Sequence, residues 1–257
     1  MKSLYKIFSI CFLFSLVLIT SCGESFDDIS DDFGGEGKGG STARFTFLKG
    51  YLYIVDETSL KTIDISQPDN PQVLSTVNVG PGIETIFPYE NFLFLGSQTG
   101  MYIYSLENGP TPTYLSLFEH SYACDPVVVA NNIAYVTLRS GTACATGPDR
   151  MEVVDVTNLS NPSLITTIEM INPHGLAVND TLLFVGEGEF GFKVFNIKNR
   201  RDPVEIAYYD SIPANDMISI NGRRELIITG EKGIFQYNYA DIDSIYQMSQ
   251  IVATNEN

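Results

Sequence analysis

Three residues with carboxylate side chains and one histidine lie at equivalent positions in successive segments of the chain. Each lies ten residues before an equivalent position in a strand-like apolar run. With a two-residue insertion allowed in the last segment, they are Glu84, Asp125, His174 and Asp216. Carboxylate oxygens and imidazole nitrogens ligate cations and accept hydrogen bonds from ammonium groups. If the four converge, they could hold a divalent cation or an amine-bearing ligand. The alternative is that a buried strand simply meets water at this position.

These residues raise two classes of function. The first is a non-enzymatic binding or protein-interaction module, whose recognition face carries Glu84, Asp125, Cys144 and His174. The second is a glycoside hydrolase or lyase, in which an acid and a base flank a sugar bond. The chain has no tryptophan to stack on sugar rings, and its loops are short apart from residues 139–150. We therefore favour a binding module with no catalytic residue.

An internal repeat positions these residues. Its anchors are separated by 41, 50, 41 and 42 residues, and they are Asp64, Ser105, Asp155, Asn196 and Asn238. Each unit contains four short β-rich runs bounded by turn residues, which is typical of a propeller blade. We predict an all-β fold, a five-bladed β-propeller of four-stranded antiparallel blades, over residues 43–257. First strands line the channel of a propeller, so the four side chains are expected at the channel mouth. The Asp and Asn anchors, Asp64, Asp155, Asn196 and Asn238, are expected to bond turn backbone.

One run of the repeat resembles a known family. Ile63-Asp64-Ile65-Ser66 with Pro68 and Pro71 recurs in residues 154–162, and this pattern resembles the LVIVD repeat of exported bacterial proteins. The resemblance extends over most of residues 45–252. It implies a β-propeller and leaves the reaction, if there is one, open.

The N-terminus has the pattern of a lipoprotein signal peptide. Two lysines precede an apolar stretch, residues 7–19, that is too short to span a bilayer. Leu18-Ile19-Thr20-Ser21-Cys22 resembles a lipobox, so residues 1–21 are predicted to be removed and Cys22 to carry the lipid. Residues 22–42, rich in Gly and Asp, predict a flexible acidic tether. This arrangement predicts a lipid-anchored protein of the outer membrane, displayed at the cell surface.

Charge and cysteine usage narrow the partners. The chain has 15 Lys and Arg against 31 Asp and Glu, a field that repels nucleic acid. The expected partners are the membrane, through the lipid, and a protein, glycan or small-molecule ligand, with no cofactor beyond the divalent cation considered above. Cys124 and Cys144 fall on one face of blade three, and an oxidising compartment predicts a disulfide between them. Neither the ligand nor the oligomeric state follows from the residue types.

Overall fold

Five four-stranded sheets follow one another in the computed structural model, which describes residues 40–120, 126–140, 147–220 and 222–253. Within each sheet the strands are antiparallel and lie in chain order, so the predicted all-β, five-bladed propeller is confirmed. The strands, four to a blade, are β1 Phe45–Leu48, β2 Tyr51–Val55, β3 Ser59–Asp64 and β4 Gln72–Asn78; β5 Ile83–Tyr89, β6 Phe92–Ser97, β7 Gly100–Ser105 and β8 Thr113–Glu119; β9 Val127–Ala130, β10 Ile133–Leu138, β11 Arg150–Asp155 and β12 Ser163–Glu169; β13 Leu176–Asn179, β14 Leu182–Gly186, β15 Phe192–Asn196 and β16 Val204–Tyr209; β17 Asp216–Ile220, β18 Glu225–Gly230, β19 Gly233–Asn238 and β20 Tyr246–Val252.

The blades pack through their first strands. Contacts run from β1 to β5, β5 to β9, β9 to β13 and β13 to β17. In blade three every residue of β10 is buried, because neighbouring blades cover both faces of its sheet and both faces are therefore apolar.

The two terminal blades differ from the three between them. In β2, Tyr53 and Val55 are buried while Leu52 and Ile54 are partly exposed, and β18 shows the same alternation. Burial of every second residue means that only one sheet face is covered. The apolar run of β2 suggested cover on both faces, and the structure differs because β1 and β17 do not pack together as the other first strands do.

Each repeat anchor ends the third strand of its blade and bonds the turn that follows. The side-chain oxygen of the anchor accepts a hydrogen bond from the backbone N–H two residues later, at distances of 2.8 to 3.2 Å, in Asp64, Ser105, Asp155, Asn196 and Asn238. The predicted structural role is confirmed for the four Asp and Asn anchors, and Ser105 makes the same bond in blade two.

The segment just before β1 is packed into the fold. Ser41 is 1% exposed, and its Oγ accepts a hydrogen bond of 2.6 Å from the N–H of Leu176, the first residue of β13. The carbonyl of Ala43 accepts one of 2.9 Å from the N–H of Ile86 in β5. The sequence predicts a tether as far as Thr42; in the structure, residues 41–43 are hydrogen-bonded to blades two, four and five.

Several predictions lie outside the described residues. These are the signal peptide, the lipid on Cys22, the tether as far as residue 39, and the Cys124–Cys144 disulfide. Within the described residues, no helix has the length and apolar character that a membrane span requires.

Candidate functional site

A cavity of about 190 Å³ opens at the channel mouth, where residues before the first strands meet the loop that follows β10. The polar side chains around it are Thr42, Arg44, Glu84, Thr85, Arg139 and His174. They come from the starts of blades one, two and four and from the end of β10 in blade three. The mouth is therefore assembled from four blades whose positions are fixed by the buried sheets behind them.

Two of the predicted residues share this cavity. Glu84 is the second residue of β5, and its Oε1 accepts a hydrogen bond of 3.4 Å from Gln98 Nε2. His174 lies two residues before β13 and faces the same space. Glu84 and His174 therefore line one cavity, whereas Asp125 lies outside the described residues.

Asp216 does not line the cavity. Its carboxylate accepts hydrogen bonds from Thr42 Oγ1 at 2.5 Å, Ser41 Oγ at 3.3 Å and the N–H of Met217 at 2.9 Å. Burial raises the pKa of the Asp216 carboxyl even though these donors oppose the shift. Its role in the structure is to attach the segment before β1 to blade five.

His174 is held in place from several sides. Its N–H donates to the carbonyl of Gly186 at 2.8 Å, and its own carbonyl accepts from Thr137 Oγ1 at 2.7 Å. Gly188 packs against the ring, and a Cβ at this positive-φ position would lie 2.7 Å from His174 Nε2. The imidazole is thus a fixed wall of the mouth.

The imidazole is uncharged at neutral pH. Burial, followed by the positive charge of Arg139, lowers the pKa of His174 from 6.5 to about 4, although Asp149 opposes the shift. Arg139 Nη1 lies 2.6 Å from His174 Nε2 and 2.9 Å from Nδ1. A neutral ring accepts from the guanidinium through its unprotonated nitrogen, so the two groups are compatible neighbours.

Two arginines at the mouth were missed in the sequence. Arg44 follows Ala43, the blade-one residue at the register position, and Arg139 is the first residue after β10. The register of the first strands points to residues that enter those strands, whereas Arg139 lies in the loop between a second and a third strand. The signal was available, because both kinds of loop lie on one face of a propeller.

The arginines reverse the expected charge of the site. Two guanidinium groups and one carboxylate line the cavity, beside an imidazole that is neutral. Among the described residues, no three His, Cys, Asp or Glu side chains are grouped as a metal site requires. The described part of the mouth is therefore suited to an anion, and the cation considered from the sequence would depend on residues outside it.

Comparison with known proteins agrees with the repeat. The LVIVD repeat family matches residues 39–79, which include blade one, and residues 144–169, which include β11 and β12. The repeat and the fold agree. No curated protein matches the chain.

Solved structures match over most of the chain at low identity. A protein from Lactobacillus plantarum is 11% identical with a TM-score of 0.63, over 79% of this chain and 68% of that one. The periplasmic gluconolactonase of Pseudomonas aeruginosa is 11% identical with a TM-score of 0.61, over 79% and 67%. Apo AztD from Citrobacter koseri is 15% identical with a TM-score of 0.59, over 80% and 61%. At such identities the matches show the fold alone, and this chain spans about two thirds of those proteins.

Proposed function

We propose that this propeller is a non-enzymatic binding module of the cell envelope that takes a small carboxylate-bearing ligand at its channel mouth. The observation that carries the proposal is the pair Arg44 and Arg139 around the cavity that His174 and Glu84 complete. The whole chain has a formal charge of −16, so a cationic recess in it is a local and specific feature.

The chemistry of the mouth defines the ligand further. A guanidinium binds a carboxylate through two parallel N–H donors, which fixes orientation as well as charge. Glu84 supplies an acceptor for a hydroxyl or amine elsewhere on the same molecule. A cavity of about 190 Å³ is smaller than the roughly 300–1,000 Å³ of sites for drug-sized ligands. The geometry therefore favours a small hydroxy acid or a single sugar acid.

The glycoside hydrolase or lyase remains the alternative, and it needs a second carboxyl group beside the first. Of the described residues around the cavity, Glu84 is the one carboxylate, and Asp216 is engaged by Thr42 and Ser41. A fixed, uncharged imidazole and two arginines favour binding over acid and base catalysis. The matches with solved propellers do not choose between the two classes.

The place of action is part of the proposal. The N-terminal sequence supports export, lipidation of Cys22 and attachment to the outer membrane with display at the surface. Such a site would meet ligands from the surroundings of the cell. Labelling intact cells with an antibody to the propeller, before and after surface proteolysis, tests that placement.

The ligand class is tested with three related sugars. Thermal unfolding of the purified protein is followed with three sugars. Glucuronate has a carboxylate, glucosamine has an amine, and glucose has neither group. We expect glucuronate to raise the Tm in a concentration-dependent way, since a ligand that binds only the folded state stabilises it. Arg139→Gln should abolish the shift, whereas Arg223→Gln, at an exposed arginine of blade five, should retain it. Stabilisation by glucosamine or by Ca²⁺ and none by carboxylates would refute the anion site.

A further inference from the structure

A second and larger cavity, of about 350 Å³, lies at the junction of blades four and five. Its walls come from Glu189 in the β14–β15 loop, from residues 211–215 between β16 and β17, and from Glu231 in the β18–β19 loop, together with Phe235 and Tyr237 of β19. No residue of this cavity lines the channel mouth described above. The two are separate sites.

Comparison with the junction between blades three and four explains why a cavity is present between blades four and five. Lys193 of β15 pairs with Val185, and Phe235 of β19 pairs with Ile228 at the same register position. Between blades three and four, Lys193 Nζ lies 3.7 Å from Oε1 of Glu187, a fully buried residue whose Oε1 also accepts a 2.9 Å hydrogen bond from the N–H of Ile171. A buried ion pair thus fills that junction.

Blade five has neither member of this ion pair. An aromatic residue replaces the lysine, and the β18–β19 loop has two residues where the β14–β15 loop has five. The carboxylate that the shorter loop contributes, Glu231, is exposed, whereas Glu187 is fully buried. The result is a recess with aromatic walls at the position where blade four places Lys193 beside Glu187.

The two carboxylates that line the recess are not used by the fold. Glu189 and Glu231 are exposed, and within the described part of the chain neither makes an ion pair or a side-chain hydrogen bond. Lys232 adds one positive charge, so the lining carries a net negative charge. Carboxylates beside aromatic rings bind organic ammonium groups, through charge and through the electron-rich ring faces.

We infer that the cavity between blades four and five binds a small primary amine with an apolar or aromatic body. The body packs on Phe235 and Tyr237, and the ammonium group is directed to Glu189 and Glu231. The volume accommodates a molecule the size of a single aromatic ring with a short chain. The charge of this site is opposite to that of the channel mouth, so the two sites select different ligands.

The test uses 2-phenylethylamine as the probe, with 2-phenylethanol and phenylacetate as neutral and anionic analogues of the same shape. Titration into the ¹⁵N-labelled protein should shift the amides of Ser211, Ile212, Ala214, Asn215 and residues 230–232. The amine should bind more tightly than either analogue. Partly exposed ion pairs contribute modestly, so Glu189→Gln/Glu231→Gln should weaken the amine by about fivefold to tenfold. Phe235→Ala should weaken the amine and 2-phenylethanol alike.

Two controls separate this site from general charge and from the channel mouth. Glu107→Gln/Glu119→Gln removes two carboxylates from blade two and should leave the affinity for the amine unchanged. Arg139→Gln should also leave it unchanged. The inference is overturned if phenylacetate binds as well as the amine, if the amide shifts fall elsewhere, or if the blade-two variant loses as much affinity as the junction variant.

Discussion

His174 links the stability of the propeller to pH. Its pKa is lowered from 6.5 to about 4 in the folded protein by burial and by Arg139. Between these values the unfolded chain binds more protons than the folded one, so stability falls as the pH falls from 6.5 towards 4. The loss that this shift implies is about 3 kcal/mol at most. His174→Gln should remove this part of the pH dependence.

Urea unfolding gives the free energy of unfolding at pH 7.5 and at pH 4.5, and the change between these two values is compared in the wild type and in His174→Gln. The wild type should lose more stability between the two values than His174→Gln does, since the carboxylates common to both proteins cancel. His120→Gln removes the other histidine of the chain and serves as the control, which should keep the loss due to His174. Equal losses in the wild type and in His174→Gln would show that the imidazole titrates normally.

Asp216 is the residue whose predicted role changes most. The sequence predicts it at the channel mouth, and in the structure it accepts hydrogen bonds from Ser41 and Thr42. Asp216→Ala should lower the free energy of unfolding by about 1–3 kcal/mol, because the buried hydroxyl of Ser41 loses its acceptor. Hydrogen exchange at residues 41–44 should increase together with this loss. Asp69→Ala, at an exposed position in blade one, should change neither quantity.

At the scale of the element, the anchor after each third strand fixes the turn that leads to the outermost strand. In blade four, Asn196 Oδ1 accepts a 2.9 Å hydrogen bond from the N–H of Lys198. Asn196→Ala should destabilise the protein by about 1 kcal/mol, the usual net value of such a bond. Asn196→Asp keeps the acceptor and should restore most of the stability in urea unfolding. A cost as large for Asp as for Ala would contradict the turn role.

The disulfide predicted in blade three lies outside the described residues. A Cys124–Cys144 disulfide would restrict the unfolded chain and stabilise the protein by about 3 kcal/mol in the loop-entropy treatment. Peptide mapping without reduction should recover the linked pair. Reduction should lower the Tm of the wild type but leave that of a Cys124→Ser/Cys144→Ser variant unchanged. Free thiols at both cysteines in protein isolated from the outer-membrane fraction would show that the bridge does not form.

The sequence predicted elements better than it predicted the site. Strand positions and blade boundaries follow from the repeat, because turn residues and apolar runs recur with the blade period. The direction of Asp216 could not be predicted, since it depends on a segment before β1 that reads as tether. Arg139 reaches the mouth from the β10–β11 loop, which the register of the first strands does not include. Contacts between segments far apart in the chain have no local signature.

At the scale of the whole propeller, burial shows how the blades support one another. Central second strands are buried along nearly all their length, as in β10, whereas β2 and β18 are buried at alternate positions. Phe45 and Phe47, on the uncovered face of blade one, are 52% and 37% exposed. In a series of blades that each contact their neighbours, the terminal ones lack half of the stabilising contacts.

Native-state hydrogen exchange should therefore rank the blades. The amides of β10 and β14 should exchange at rates set by global unfolding, while those of β2 and β18 should exchange faster through local opening. Leu52→Thr, on the uncovered face of blade one, should cost less stability than Tyr53→Thr, on the face packed against blade two, because only the second side chain is buried. Uniform protection in all five second strands, with equal costs for the two substitutions, would mean that blade one is covered on both faces in solution.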